Sequence, residues 1–137
     1  MKSKIYLASP YTHDSPEIRA SRVNFASRIA ASLMEDYAVF SPITHGHHIA
    51  DYLPTKLAAS HQFWMEQCFP LLEACDMLLV LPQKGWIVSR GVEEELNFAY
   101  SRKIPTLLYE SPFHHEELHP ITPDDRRIFP SIFKGKL

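Results

Sequence analysis

The sequence predicts an α/β fold in which a parallel sheet of four to five strands carries helices on both faces. Three observations lead to this prediction. Short runs of apolar, β-favouring residues alternate along the chain with longer segments whose apolar residues recur at helical intervals. A proline closes each of the first three runs, as expected where a strand leaves a sheet. Helices between successive strands are typical of a parallel sheet that is covered on its faces.

The first two predicted elements are a strand and a helix. Residues 4–8 form a short apolar run that ends before Pro10, which predicts a buried strand. Residues 14–17 have the spacing of a capping box, with Pro16 near the first helical position. The apolar residues that follow at helical intervals predict a helix that runs to about Glu35.

The next segment combines a strand, a loop and a second helix. Residues 37–41 predict a strand that Pro42 closes, and residues 44–54, crowded with polar and histidine residues, predict a functional loop. From Ser60 onward the apolar residues lie on one helical face, with a kink expected near Pro70. The residues of this face are Trp64, Cys68, Leu71, Leu72 and Cys75.

The remaining elements are a strand, a helix and a strand. Residues 77–81 are uniformly apolar, which is typical of a central strand buried on both faces. A loop at residues 83–89 leads to a helix at residues 91–102 and then to a strand at residues 104–109. The tail at residues 110–137 is rich in proline, histidine and aspartate and has no clear period.

Composition predicts one globular domain, with a core at about residues 4–109 followed by the tail. The chain has 137 residues, of which 45% are hydrophobic and 22% charged, which suits a single buried core. Lys and Arg together number 14 against 16 acidic residues, so no basic face for a nucleic-acid polymer is expected. The two cysteines fit neither a disulfide framework nor a zinc knuckle, which favours a cytoplasmic protein. No apolar run is long enough to predict a membrane span.

The four glycines exclude the usual phosphate-binding loops. Neither G-x-G-x-x-G nor G-x-x-x-x-G-K-[ST] is present, so any phosphate must be held in another way. No cofactor is predicted. In a parallel α/β sheet the ligand crevice lies beyond the carboxyl ends of the strands, where the strand order reverses. Four segments are expected to meet there, namely residues 9–13, residues 41–48, residues 82–91 and the chain from Glu110 onward.

Three carboxylates open the helix that begins near Gly91. Glu93, Glu94 and Glu95 lie in its first turns, where the helix dipole stabilises negative charge. At about 100° per residue, Glu94 lies opposite the apolar stripe of this helix, whereas Glu93 and Glu95 flank the stripe. Periodicity alone does not choose between those two.

The start of this helix and its surroundings resemble a known superfamily. The pattern Ser89-x-Gly91-Val92-x-x-Glu95-Leu96-x-x-Ala99 resembles the signature of the nucleoside 2-deoxyribosyltransferases and the related nucleoside 5'-monophosphate N-glycosidases. Closer still is the resemblance to a family of short, uncharacterised bacterial and phage proteins in that superfamily. It is carried by Tyr6-Leu-Ala-Ser-Pro-Tyr11, Phe40-Ser-Pro-Ile-Thr-His45 and Gly85-Trp-x-x-Ser-Arg-Gly-Val92. The resemblance implies a flavodoxin-like (Rossmann-like) fold and an N-glycosidase or 2-deoxyribosyltransferase activity.

By that resemblance Glu95 is the catalytic nucleophile that attacks C1' of the sugar, and Tyr6 helps to position its carboxylate. Departure of the base leaves an oxocarbenium-like centre, which a nearby carboxylate stabilises and then captures. Ser89 occupies the place where the monophosphate hydrolases carry a serine and the transferases often carry an aspartate, which favours contact with a 5'-phosphate. The Ser89 hydroxyl and the amides near Gly91 would form a small anion site.

Other crevice residues are predicted to bind the substrate, namely Ser9, Tyr11, Ser41 and His45. One position departs from the superfamily. Cys68 stands where an acidic residue usually protonates the leaving base, and Glu66 on the same helix is a candidate to replace it. Asp76, at the amino end of a strand, is expected to be structural.

Two other functions stay open at this point. A non-catalytic nucleotide-binding or sensor protein of the same fold is the first, and Cys68 supports it. A metal-dependent hydrolase centred on His45, His47 and His48 is the second, although no metal motif of known spacing accompanies these residues.

The remaining expectations concern surfaces and partners. The arginines of the first helix and the histidines of the tail are expected to face solvent; they are Arg19, Arg22, Arg28, His114, His115 and His119. The partner is predicted to be a small-molecule nucleoside or nucleotide, with neither a nucleic-acid polymer nor a membrane. Because the relatives close their sites with residues from a neighbouring subunit, a homodimer or higher homo-oligomer is expected.

Overall fold

The computed structural model describes residues 1–111 and Leu118. Four strands and five α-helices are present in this part of the chain, together with two 3₁₀ turns at Ala50–Tyr52 and Trp86–Val88. The strands are β1 (Lys4–Ala8), β2 (Ala38–Phe40), β3 (Met77–Val80) and β4 (Thr106–Leu108). The helices are α1 (Pro16–Leu33), α2 (Pro42–Ile49), α3 (Thr55–Ala58), α4 (His61–Glu73) and α5 (Arg90–Ser101).

The four strands form one parallel sheet in the order β2-β1-β3-β4. The chain moves outward from β1 to β2 and then crosses back to β3 on the other side of β1. Strand order therefore reverses between β1 and β3, and the carboxyl ends of these two strands mark the expected ligand crevice. This arrangement confirms the predicted α/β class and the parallel sheet.

Helices cover both faces of the sheet, and each face has its own apolar core. On one face Tyr6 and Ala8 of β1 pack with buried residues of α4 and α5. On the other face Ile5 and Leu7 pack with Phe25 and its neighbours on α1. The strict alternation of β1 between the two cores follows from the two-residue period of a strand. It aims the Tyr6 side chain at the helices that carry Cys68 and the three glutamates.

Helix α1 begins one residue later than the capping-box spacing predicts. Ser15 is the N-cap, because its backbone is extended and its Oγ accepts a hydrogen bond from the Ile18 amide at 3.3 Å. Pro16 occupies the first turn as predicted, and the Asp14 cap is wrong. The helix ends at Leu33, close to the predicted end.

The predicted loop at residues 44–54 is wrong, since most of it is helical. Ser41 has an extended backbone, its carbonyl accepts a hydrogen bond from the His45 amide at 3.0 Å, and Pro42 begins α2. The prediction treats Pro42 only as the end of a strand, although proline also favours the first turn of a helix. Gly46, a residue usually expected in loops, lies here against α4: a Cβ on it would come within 3.0 Å of the Trp64 ring. Close packing of two helices, rather than loop formation, accounts for this glycine.

The other elements agree with their predictions within a few residues. Helix α4 starts after Ser60, whose Oγ accepts from the Phe63 amide, and it continues past Pro70; the kink there stays a prediction. Helix α5 begins at Arg90, one residue early, and β2, β3 and β4 are shorter than predicted. Asp76 is structural as expected, because its Oδ2 accepts from the Lys4 amide at 2.7 Å at the amino end of the sheet. No helix in residues 1–111 combines the length and hydropathy needed to cross a bilayer.

Candidate active site

Burial distinguishes the three glutamates at the start of α5. Glu95 is 4% exposed and lies among the buried apolar residues of the helix, whereas Glu93 is exposed. Glu94 turns toward α4 and accepts from His61 Nε2 at 2.8 Å and from Arg90 Nε at 3.2 Å. Of the two carboxylates that periodicity could not separate, the structure therefore buries Glu95 alone.

Glu95 and Tyr6 form a buried pair between α5 and β1. The Tyr6 hydroxyl donates a short hydrogen bond to Glu95 Oε2. Burial raises the pKa of Glu95 to about 8, although the hydrogen bond from Tyr6 opposes this shift. The pKa of Tyr6 is raised strongly by burial and by the neighbouring carboxylate. Both groups therefore lie in a site of low dielectric constant, where ionisation of either one is unfavourable.

Cys68 of α4 lies next to this pair. Its thiol interacts with the Tyr6 hydroxyl, and burial together with the Glu95 charge raises the pKa of Cys68 to about 11. Glu66 does not take the place of an acid here, because it is exposed and accepts a hydrogen bond from Gln62 Nε2 at 3.0 Å. The position opposite Glu95 thus holds a neutral thiol.

A cavity of about 200 Å³ opens between α2 and α4, beside Cys68. Most of its walls are aromatic or aliphatic side chains. They come from Phe40, Pro42, Ile49, Leu53, Phe63, Trp64 and Leu71, with His45, Gln67 and Cys68 as the polar members. The Phe40 ring lies 5.7 Å from the Tyr6 ring and 5.6 Å from the His45 ring, measured between centroids. One wall of the cavity is therefore continuous with the Tyr6–Glu95 pair.

The other residues predicted to bind the substrate lie along the carboxyl edge of the sheet. They differ in whether their side chains already have hydrogen-bond partners. Ser9 is buried directly after β1, and its Oγ has no hydrogen-bond partner within the described part of the chain. The Tyr11 hydroxyl forms a hydrogen bond with His47 Nδ1 at 2.7 Å. Ser41 is buried and donates to Thr44 Oγ1 at 2.9 Å, so its hydroxyl is already used within α2.

Ser89 and Gly91 lie at the amino end of α5. Ser89 is the N-cap, and its Oγ accepts a hydrogen bond from the Val92 amide at 3.3 Å. Among residues 1–111 and Leu118, Ser89 Oγ at 3.9 Å is the nearest atom to a Cβ added to Gly91, so the described part of the chain leaves space beside this residue. A capped helix start with open space before it is a suitable place for an anion.

The sequence matches the family model of a domain of unknown function, DUF1937, over residues 3–111. The chain belongs to this family. The match includes the whole sheet and every candidate site residue named above. No curated protein matches the sequence.

The DUF1937 fold is similar to that of a solved 2-deoxyribosyltransferase from the psychrotolerant bacterium Bacillus psychrosaccharolyticus, described as a biocatalyst for the synthesis of antiviral and antitumoral nucleosides. The TM-score is 0.55 at 20% identity, and the alignment covers 98% of this chain and 100% of the other. At that identity the likeness establishes a shared fold. The predicted flavodoxin-like fold is thereby confirmed.

The histidines of α2 do not converge in this DUF1937 chain. His45 packs on Phe40, whereas His47 forms a hydrogen bond with Tyr11. The rings of His47 and His48 pack edge to face, with their centroids 5.5 Å apart. Across residues 1–111 and Leu118, no three His, Cys, Asp or Glu side chains are grouped as a metal site would require. The metal-dependent hydrolase therefore has no geometric support. The three histidines of the tail lie outside the described residues.

Arg22 differs from its predicted place on a solvated face. It is half-buried and donates to the Thr12 carbonyl at 2.9 Å and to the Lys84 carbonyl at 3.1 Å. It thus ties the loop after β1 to the loop after β3. Gly85 makes room for it: its φ is +96°, and a Cβ there would lie 2.5 Å from Arg22 Nη2. Arg28 is exposed as expected.

Proposed function

We propose that this protein breaks the N-glycosidic bond of a nucleoside or a nucleoside 5'-monophosphate, with Glu95 as the nucleophile. The observation that carries the proposal is the buried Tyr6–Glu95 pair between β1 and α5, with an aromatic-lined cavity beside it. Structural glutamates are rarely buried without a cationic partner. A buried carboxyl group with a perturbed pKa, placed next to a ring-sized cavity, is a candidate functional group for chemistry on a ligand in that cavity.

The reaction has two balanced steps. A Glu95 carboxylate oxygen forms a bond to C1' while the C1'–N bond breaks, and the electron pair of that bond leaves with the base. The product is a glycosyl ester of Glu95 and a free base. Water then attacks C1', the C1'–O bond to Glu95 breaks and restores the carboxylate, and the proton that the water loses balances the one that the departing base takes up. In transfer, a second base attacks C1' in place of water and loses its ring N–H proton instead. Tyr6 donates to Oε2 in the free protein and so keeps one carboxylate oxygen oriented.

The amino end of α5 supports binding of a 5'-phosphate. The Ser89 hydroxyl accepts from Val92, which leaves its own proton for a phosphate oxygen, and the first-turn amides supply further donors. Ser9 adds a buried hydroxyl at the end of the adjacent strand β1. A group with two negative charges gains more from this site than a bare 5'-hydroxyl does.

The cavity between α2 and α4 supports binding of the base. At about 200 Å³ it is smaller than the roughly 300–1,000 Å³ of sites for drug-sized ligands, and its aromatic walls suit a flat ring. Trp64 donates its Nε1 proton to the Ala58 carbonyl at 2.8 Å, so its ring is held in place as a wall. Of the described residues that line the cavity, Gln67 has an amide with both donors and an acceptor for the edge of a base.

Release of free base tests the proposal. Wild type is incubated with a panel of purine and pyrimidine nucleosides and their 5'-monophosphates, in the ribose and 2'-deoxyribose series, with and without a second base as acceptor. Glu95→Gln should lose at least about 1,000-fold in kcat/KM, the scale of a lost nucleophile. Glu93→Gln, an exposed change two residues away, is the matched control and should retain activity. Activity of Glu95→Gln at the wild-type level contradicts the proposal.

A nucleotide-binding protein without turnover is the second candidate. It is favoured by the neutral Cys68 thiol and by the raised pKa of Glu95, since both weaken acid and nucleophile chemistry at neutral pH. Calorimetric titration with the same panel separates the two functions. Binding of a 5'-monophosphate by wild type without release of base supports the sensor function.

The proposed active form is a homo-oligomer. The resemblance to enzymes that close their sites with a neighbouring subunit supports this, and so do two large apolar side chains near the site, Tyr52 and Val88, which are 89% and 86% exposed. Light scattering at several protein concentrations measures the assembly directly. A monomer with full activity contradicts this part of the proposal.

A further inference from the structure

The leaving base needs a proton, and the cavity contains few groups that can supply one. When the C1'–N bond breaks, the base receives an electron pair and becomes an anion unless it is protonated. Among the described residues that line the cavity, His45 and Cys68 are the ones with an ionisable proton. The Trp64 indole N–H already donates a hydrogen bond to the Ala58 carbonyl. An amide such as that of Gln67 does not transfer protons at neutral pH.

Cys68 is poorly suited to this transfer. The residue is 6% exposed, its thiol interacts with Tyr6, and the Glu95 carboxyl is close enough to disfavour a second negative charge. A thiolate formed there would face the same carboxylate that attacks the sugar. Burial and this repulsion hold the pKa of Cys68 at about 11, far from the pKa near operating pH that proton transfer requires.

His45 has the access and the location that Cys68 lacks. It is exposed at the rim of the cavity, so its ring can take up a proton from solvent between turnovers. The His45 ring packs on Phe40, and Phe40 in turn packs on Tyr6. Tyr6 donates a hydrogen bond to Glu95, so these contacts connect His45 with the proposed nucleophile. If the base of the substrate packs against Phe40, the attached sugar lies near Glu95, and a different edge of the base faces His45. Imidazole is also the side chain that exchanges a proton most readily near neutral pH.

We propose that His45 is the catalytic acid that protonates the leaving base. This inference rests on the proposed N-glycosidase or transferase function. In the step, Glu95 Oε bonds to C1', the C1'–N electron pair passes to the base, and the imidazolium of His45 gives one proton to a ring nitrogen of that base. Neutral His45 then accepts the proton that the attacking water releases in the second step. The cycle returns both residues to their starting states.

Leaving-group dependence tests the role of His45. An adenine nucleotide needs protonation to leave, whereas a 7-methylguanine nucleotide already carries a positive charge and leaves as a neutral base. His45→Asn keeps a polar side chain but has no transferable proton. We expect it to lower kcat by at least about 100-fold on the adenine substrate, the scale of a general acid, and by less than about 3-fold on the 7-methylguanine substrate.

His48→Asn is the matched control, because His48 is exposed on the same helix and does not line the cavity. It should retain activity on both substrates. Equal losses for His45→Asn on the two substrates, or no loss on either, would overturn the acid role while leaving the proposed function in place. Failure of the function itself has a different signature: wild type and Glu95→Gln would then release base equally, or wild type would release none, and both proposals would fall together.

Discussion

At the scale of single residues, the protein holds a carboxyl group under conditions that oppose its ionisation. Glu95 lies in a dry site where its pKa rises to about 8, and the hydrogen bond from Tyr6 only partly offsets the burial. A nucleophilic glutamate must be ionised, so activity on a 7-methylguanine nucleotide, whose base leaves without an acid, should increase with pH through this range. A substrate that develops positive charge at C1' would itself favour the ionised form.

The burial of Glu95 predicts a pH dependence of stability. The folded protein keeps a proton on Glu95 that the unfolded chain releases near the ordinary glutamate pKa of 4.5. The free energy of unfolding should therefore fall between about pH 4.5 and 8 and then level off. The loss is about 1.4 kcal/mol for each unit by which the pKa is raised.

Glu95→Gln, which is neutral at every pH, lacks this loss. Its melting temperature minus that of wild type should therefore increase from pH 4.5 to 8 by at least about 4 °C. Thermal melts at intervals of one pH unit measure the difference. Parallel curves for the two proteins would show that Glu95 is not a buried titrating group.

Replacement of Tyr6 predicts a shift of the pH–activity profile. The Tyr6 hydroxyl lowers the pKa of Glu95, so Tyr6→Phe should move the midpoint of kcat/KM for the 7-methylguanine nucleotide, which needs no acid, to higher pH. Each unit of movement lowers the rate below the midpoint by about tenfold, with the two profiles converging at high pH. Tyr37→Phe, on the opposite face of the sheet, is the control. An unchanged midpoint in Tyr6→Phe contradicts the prediction.

At the scale of elements, two helices start at the carboxyl edge of the sheet and shape the site. Both α2 and α5 follow a serine with an extended backbone, and the residues around each start belong to the site. They differ in their caps: the Ser89 side chain caps α5, whereas the Ser41 side chain bonds to Thr44. Ser89 therefore caps α5 and is also the residue for which phosphate binding is proposed.

Ser89→Asp should alter the choice between substrates. Aspartate also caps helices well, so stability should change little, but its charge repels a 5'-phosphate. The ratio of kcat/KM for a 5'-monophosphate to that for the nucleoside should fall at least about tenfold, or about 1.4 kcal/mol. Ser89→Ala, which removes the cap, should lower stability by about 1 kcal/mol and supplies the contrast. A ratio that is the same in Ser89→Asp and wild type excludes a phosphate site at this helix start.

At the scale of the whole molecule, the strand order reverses between β1 and β3, which is where a parallel α/β sheet is expected to form a ligand crevice. The loops after these strands diverge there, and Arg22 of α1 reconnects them through the carbonyls of Thr12 and Lys84. Gln83 adds a bond in the other direction, from its Nε2 to the Arg22 carbonyl at 3.1 Å. Leu118 forms an isolated antiparallel bridge with Gln83, which places this residue next to the loop after β3.

Arg22→Ala should therefore loosen the rim of the site. Loss of hydrogen bonds from a charged donor to two carbonyls predicts a decrease of about 1.5–3 kcal/mol in the free energy of unfolding, measured by urea denaturation. Amides of the two loops should exchange with solvent faster. Arg28→Ala, at an exposed position of the same helix, should change stability by less than about 0.5 kcal/mol. Equal effects of the two substitutions would contradict the bridging role.

The sequence by itself determined what depends on near neighbours along the chain. Apolar periodicity and proline positions predicted four parallel strands and three of the helices, because those signals arise within a few residues. Tertiary structure decided what depends on distant contacts. Periodicity left Glu93 and Glu95 equivalent until β1 placed Tyr6 against one of them, 89 residues away in the chain. Helix α2 was missed for a local reason, since Pro42 was treated only as the end of a strand, and for a tertiary one, since its Gly46 packs against Trp64. The contacts of Arg22 were missed because its carbonyl partners lie 10 and 62 residues away. The local sequence pattern specifies the helices and strands. Burial of a side chain and contacts between distant residues arise only in the assembled fold, and the candidate site depends on both.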